Sequence, residues 1–362
     1  MAIEEEKSMK FKWKRFAGLV LAGTLLTGVV APVTGITAPT TVSAAAKTKT
    51  VTDMTGTKVK VPPKVTRVAN LWHASNQVVL LLGGQKKLVA TTPMIKQEGW
   101  FKTVDPGISK VTAPFSGQDI QIESLVKTKP DVVISSNPEQ VKQAKQANLT
   151  AVNAMFQDFA GMKKSITLTA DILGGDAPKI AKKYIKYLDG NISYVKKQLK
   201  GVKTTPSVLH ITSPADLTKV DGTKTIVDEW IKMAGGKNAI TTAGNMITVN
   251  AEDIVKANPD VIIVGQTTTA NARKLLKADS TLSQLKAVKD NKVYGNPQGT
   301  FPWDRYSAEE ALQILWAAQK LHPDQFKNLD MVKKTKSFYK TYYNYDLTTK
   351  QAKQILTGEM PK

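Results

Sequence analysis

One stretch of thirteen residues occurs twice without a gap: Ile122-Glu123-Ser124-Leu125-Val126-Lys127-Thr128-Lys129-Pro130-Asp131-Val132-Val133-Ile134 and Ala251-Glu252-Asp253-Ile254-Val255-Lys256-Ala257-Asn258-Pro259-Asp260-Val261-Ile262-Ile263. Each copy reads as a short helix that stops at Pro-Asp and feeds a run of β-branched residues. A run that is apolar at successive positions belongs to a strand covered on both faces, the habit of parallel sheets with helices between their strands. Two copies of one helix-strand unit therefore call for two α/β lobes built on the same plan. They also put Glu123 and Glu252 at equivalent places on the two lobes.

The flanking sequence follows the same grammar. Strands are expected at residues 66–71, 87–92, 131–135 and 151–155, with helices at 74–82, ended by Gly83-Gly84, and 138–147. After residue 205 the pattern restarts: strand 207–212, helix 225–234 ended by Gly235-Gly236, helix 251–257, and strands 260–264 and 292–295. Between the halves, Ile180, Tyr184, Tyr187, Leu188, Ile192 and Val195 recur at helical spacing, with lysines on the other positions. Gly190-Asn191 weakens this stretch locally, yet one long helix is its best reading. The expected organisation is a leader at 1–46, an N-terminal lobe at 47–174, a connecting helix at 175–202, a C-terminal lobe at 203–325 and further helices at 326–362. The fold class is α/β: two Rossmann-like lobes with parallel sheets joined by one long rigid helix, followed by C-terminal helices at 308–321, 331–343 and 349–356.

Absences narrow the chemistry. The chain has no cysteine, which excludes disulfides, thiolate ligands, iron–sulfur clusters and a lipid-modified anchor. Gly-x-Ser-x-Gly, the Walker loop and His-Glu-x-x-His are missing, so an enzyme is not expected and no intrinsic cofactor is called for. The formal charge of +21 comes from lysines scattered along nearly every segment, not from an Arg-rich stripe with aromatics. That is a diffuse field suited to anionic wall polymers or headgroups, not a nucleic-acid groove. The start of the chain has the order of a secretory signal peptide: basic Lys10 to Arg15, apolar Phe16 to Val30, and small residues Val42 and Ala44 before a cleavage site. An uncleaved anchor is the alternative, although Gly and Thr interrupt the apolar run and Pro32 ends it near the lower length limit for a membrane span.

Several motifs, taken in order, resemble the solute-binding proteins of importers for iron–siderophore, haem, cobalamin and related metal complexes. They are Val68-Ala69-Asn70-Leu71 followed by Leu80-Leu81-Leu82-Gly83-Gly84, both Pro-Asp-Val repeats, Ile226-Val227-Asp228-Glu229-Trp230 with Ala234-Gly235-Gly236-Lys237-Asn238, and Leu285 to Tyr294. The likeness covers about residues 50 to 357, and the tail from Phe338-Tyr339-Lys340 to Ile355-Leu356 resembles the branch that handles iron complexes, nickel chelates or metal oxyanions. The resemblance implies a ligand held between two lobes, an iron(III) complex in the first instance, with nickel chelate, molybdate or cobalamin as alternatives. It implies an ABC permease and its ATPase as partners, with Glu123 and Glu252 presented to permease arginines. With the signal segment and the diffuse charge, the expectation is a monomer that is exported and held loosely at the membrane or cell wall. The chain departs from many relatives of one-membrane bacteria in lacking a lipobox cysteine.

In open α/β sheets ligands sit beyond the carboxyl ends of strands, so the loops after strands hold the candidates. Trp72 and His73 follow the first strand and offer an aromatic platform beside an imidazole able to stack on a chelate or to ligate its metal. Trp303, Arg305 and Tyr306 follow the strand at 292–295; Arg305 can grip a carboxylate or oxyanion between aromatic walls. Trp100, Phe115, Ser136-Asn137 and the loop from Ser213 to Gly222 are weaker candidates, while His210 and His322 read as structural. A surface adhesin held by positive charge is the competing class, and ligand-linked stability separates it from a binding protein.

Overall fold

Why the thirteen-residue unit occurs twice is visible in a computed structural model, which describes residues 48–361. In each copy a short helix, Ile122–Lys127 or Ala251–Ala257, ends in a residue forced into the left-handed region, Lys129 at φ 46° and Asn258 at φ 38°. The proline after it prevents helix continuation. The aspartate then braces the neighbouring strand. Asp131 Oδ2 accepts from the backbone N–H groups of Thr66 and Arg67 at 2.7 and 2.9 Å, and Asp260 Oδ2 accepts from that of Ser207 at 2.9 Å. Each Pro-Asp therefore sets the start of two adjacent strands at once.

In the N-terminal lobe four strands, all parallel, lie in the order Leu88–Ala90, Val68–Asn70, Val132–Ser135 and Ala151–Asn153. In the C-terminal lobe Ser207–Ser213, Val261–Val264 and Val293–Gly295 run parallel, with Lys237–Asn238 parallel to the far edge of the first. This sheet then departs from the other. Asp216–Val220 folds back antiparallel on Ser207–Ser213, and Ile247–Thr248 extends it. The segment expected as a ligand loop between Ser213 and Gly222 is thus mostly a hairpin strand.

Alternation along the central strands divides the core in three. Val68, Val132, Ile134, Val261 and Ile263 point into one cluster shared by both lobes, which also holds Tyr184, Leu188, Trp230 and Trp316. Their strand neighbours point the other way, Ala69 and Val133 into a core of the N-terminal lobe, Ile262 and Val264 into one of the C-terminal lobe. A shared core makes lobe separation costly in exposed apolar area.

The long helix, Ala177–Gln198, passes through Gly190 unbroken. It packs between the Phe159–Leu173 and Glu310–Leu321 helices, with Tyr184 and Leu188 fully buried. Tyr184 Oη donates to Ala308 O at 2.6 Å and Asn191 Nδ2 to Ala311 O at 2.7 Å. The C-terminal segment is a second brace. The helix expected over 331–343 finishes as a π-helical turn, Tyr339–Tyr343, whose Tyr343 accepts from Gln77 Nε2 at 2.9 Å. Beyond the Thr349–Leu356 helix, Glu359 O accepts from the indole of Trp100 at 2.9 Å. The N-terminal lobe is therefore tied to residues far from it in sequence.

Candidate functional site: the interlobe cleft

Between the carboxyl ends of the two sheets lies a cavity of about 270 Å³ lined by residues of both lobes. From the N-terminal lobe come Trp72, His73, Met94 and Glu98; from the C-terminal lobe come Met246, Gln266, Gln298, Phe301, Arg305 and Tyr306, among others.

The N-terminal wall is set by a tight turn after strand Val68–Asn70. Asn76 Nδ2 donates to the carbonyls of Asn70 and Trp72 at 3.1 and 2.9 Å, and its Oδ1 accepts from Thr91 Oγ1 at 2.8 Å. This fixes Trp72 as the residue before helix His73–Leu81 and His73 as its first residue. Trp72 is buried, meeting Phe156 and Tyr306 edge-on with ring centroids 5.5 and 5.6 Å away. His73 keeps part of its surface and lies 5.6 Å from the ring of Phe301. Burial, with the Arg305 charge added, lowers the His73 pKa and so favours the neutral imidazole.

The C-terminal wall rests on buried charges. Arg305, only 8% exposed, places Nη2 3.3 Å from Asp221 Oδ2 and 3.4 Å from Asp304 Oδ2. His210, from the middle of strand Ser207–Ser213, sits between the same carboxylates. Its Nδ1 is 2.8 Å from Asp221 Oδ2, and its Nε2 is 2.9 Å from Asp304 Oδ2 but off the line of a good hydrogen bond. Burial disfavours the imidazolium, but the two aspartates outweigh it and raise the His210 pKa. Burial likewise opposes Asp304 ionisation, yet Arg305 and His210 hold its carboxyl at about 2. The four groups gather a guanidinium, two carboxylates and an imidazole whose protonation those carboxylates favour. Gly265 makes room for it, because a Cβ there would stand 2.9 Å from Asp304 Oδ2. Since one nitrogen meets both carboxylates, the rest of the Arg305 guanidinium is uncommitted to them.

Three cavity residues, Met246, Gln266 and Tyr306, have φ of 55° without being glycine. Such strain persists only where surroundings hold it, and it gathers at ligand sites. Met246 is held by its N–H donating to Asp221 Oδ1 at 2.8 Å, and Tyr306 by its hydroxyl donating to Gln157 at 3.1 Å. Glu98, across from these, is the one carboxyl among the cavity-lining residues named above. Burial pushes it up to about 7, against a 3.5 Å bond from Gln298 and the Lys102 charge, with nearby Glu309 adding to the rise.

Four expected residues, Trp72, His73, Arg305 and Tyr306, line this cavity together. Three do not. Trp100 is fully buried in helix Gly99–Val104 and spends its N–H on Glu359. Trp303 is fully buried and donates to Glu309, supporting the wall from behind. Phe115 lies in a small hairpin against the N-terminal lobe's own core. Glu123 and Glu252 are exposed in the first turns of their helices, outside the cleft. Glu98, Gln266, Gln298, Met94 and Met246 were not anticipated; only Phe301 adjoins a stretch the sequence had marked. Among the described residues no three His, Asp or Glu side chains converge to hold an ion.

A model of the periplasmic binding protein family matches residues 68–300, which span both sheets and most of the cleft. The chain belongs to the periplasmic binding protein family. Relatives of this binding protein include the molybdate-binding protein MolA of Haemophilus influenzae, 24% identical over 83% of this chain and 92% of that protein. Another is the ABC transporter substrate-binding lipoprotein YvrC of Bacillus subtilis, 23% identical over 88% of this chain and all of that one. Among solved structures, a periplasmic solute-binding protein from Veillonella parvula superposes with a TM-score of 0.75 at 29% identity, covering 86% of this chain and 97% of that one. The binding protein is thus a solute carrier of an ABC transporter and not an enzyme. No helix among its described residues is long and apolar enough to cross a membrane; the expected signal segment lies outside those residues.

Proposed function

We propose that the imported solute is a compact, negatively charged metal chelate, an iron(III) complex in the first instance, and that the cleft presents it to the permease. The observation that carries this reading is Arg305: a guanidinium anchored through Nη2 by two buried carboxylates lines an aromatic-walled cavity, and its Nε is buried with no partner in the protein. Such a donor set suits carboxylate or phenolate oxygens of a chelate, while Trp72, Tyr306 and Phe301 suit its organic flanks. His73, which lines the same cavity, completes the metal's coordination in this reading. The cavity, about 270 Å³, is just under the roughly 300–1,000 Å³ usual for small-molecule sites. A larger siderophore or haem would be enclosed only in part. Metal oxyanions are the second reading, favoured by the same Arg305 and by the molybdate named for MolA. The carrier works as a monomer, and its charge of +21 supplies the loose surface retention that YvrC, by its name a lipoprotein, obtains from lipid.

Thermal melts of the purified chain against ferric siderophores, haem, cobalamin, nickel–histidine and molybdate test this. A hundredfold excess over the dissociation constant stabilises by about 2.7 kcal/mol. A shift with an anionic iron(III) chelate is the expected result. A shift with molybdate alone would move the assignment to oxyanions, and a shift with cobalamin alone would overturn it.

A further inference from the structure

The two copies of the thirteen-residue unit have diverged, and what they still share sorts into two groups. Pro130/Pro259, Asp131/Asp260, Val132/Val261 and Ile134/Ile263 are explained by the fold: they end a helix, brace a strand and fill the shared core. Glu123/Glu252, Val126/Val255 and Lys127/Lys256 are exposed in both copies, and the core does not need them. Helix physics accounts for two of these pairs, since Glu in the first turn complements the dipole and Lys four positions on is the favourable order. It argues against the third, because a β-branched residue at an exposed helix position lowers helix propensity and exposes apolar surface.

Among the described residues six large hydrophobics are exposed: four methionines, Val126 and Val255. The two valines, each 40% exposed, fall at the same position of the repeat. Each stands three residues after its glutamate and so shares a helix face with it. Both glutamates lack an ion-pair partner among the described residues. The same acid-and-apolar pair is thus displayed once per lobe. Two equivalent patches fit a partner with two equivalent sockets, as a two-fold assembly has. An acidic point on a chain of charge +21 selects a basic counterpart.

We propose that Val126 and Val255 are the apolar halves of two equivalent docking points for the permease, each seated in an apolar recess beside the cation that receives Glu123 or Glu252. The proposal rests on the reading of those glutamates as docking residues. The valines exclude water from the ion pair and give each contact a fixed depth, so the pair of contacts registers the spacing of the two lobes.

The test measures binding of the labelled full chain to the permease–ATPase complex in lipid nanodiscs, with no solute added. Val126→Ser and Val255→Ser should each weaken docking several-fold by similar amounts, and the double variant at least tenfold, with melting temperature unchanged. Glu123→Gln with Glu252→Gln is run alongside. Loss with the glutamate variants but not with the valine variants would overturn the valine proposal and leave the docking reading intact. Loss with only one valine would break the claimed equivalence. No loss with either set would remove both.

Discussion

The two walls of the cleft are built by different means. The N-terminal wall is local and holds no buried ion pair: Asn70, Asn76 and Thr91 pin one turn, from it Trp72 and His73 project, and burial raises its one carboxyl, Glu98, to about 7. The C-terminal wall is ionic and gathered from afar, with Arg305 held by Asp221, Asp304 and, through them, His210. It also carries all three strained residues of the cavity. One wall therefore supplies shape and the other charge. Solute class should be governed by the C-terminal wall and fit by the N-terminal one.

The comparison is most exposed to Arg305→Ala. That change leaves Asp221 and Asp304 buried with only His210 between them, and breaking such a set costs about 3–5 kcal/mol. Solute affinity should fall at least a hundredfold, as seen by calorimetry, and urea unfolding should show the destabilisation. Normal affinity would end the assignment of charge recognition to this wall.

The next effect concerns pH. Glu98, raised to about 7 when folded, resists ionisation in the native state more than in the unfolded chain. Its contribution is complete below about 4.3, its unfolded value, and is lost as pH rises through about 7. Wild-type stability should decline by about 2–3 kcal/mol between pH 5 and 8 from this group, and Glu98→Gln should flatten that slope in urea titrations across pH. Affinity for an anionic solute should weaken over the same interval in the wild type, and the variant should lose that dependence too. An unchanged slope would show that Glu98 ionises freely in the cleft.

Smallest is His73→Gln, which should lower affinity for an iron chelate about tenfold while leaving stability within about 0.5 kcal/mol. An identical charge-transfer spectrum of the bound complex in wild type and variant would exclude direct ligation.

Much of this architecture was readable from the chain because apolar periodicity and the Pro-Asp punctuation report directly on buried strands and helix ends. The long helix Ala177–Gln198 was legible for the same reason. Its neighbour Phe159–Leu173 was not, since it buries Ser165 and Thr169 against the core through local hydrogen bonds, and this blurs the pattern. Strand Asp216–Val220 was hidden because its middle is only partly covered and its residues alternate weakly. At the site, a position after a strand pointed to Trp72 and Arg305, and both line the cavity. It gave no means of separating an aromatic that faces ligand from one that serves the core, and Trp100 and Trp303 are of the second kind. Glu98 and Gln298 meet across 200 positions of sequence, and no local pattern marks such a pair.

The bond from Trp100 to Glu359 spans 259 positions, and it bears on when this molecule can fold. A lobe whose aromatic core is closed by a carbonyl near residue 359 cannot be finished while that residue is still being synthesised. Closure of so long a loop is slow, since its entropic cost precedes any reward from the contact. A chain of this kind stays open for longer than one assembled from neighbouring pieces, and it acquires its working shape only once its whole length is free to close.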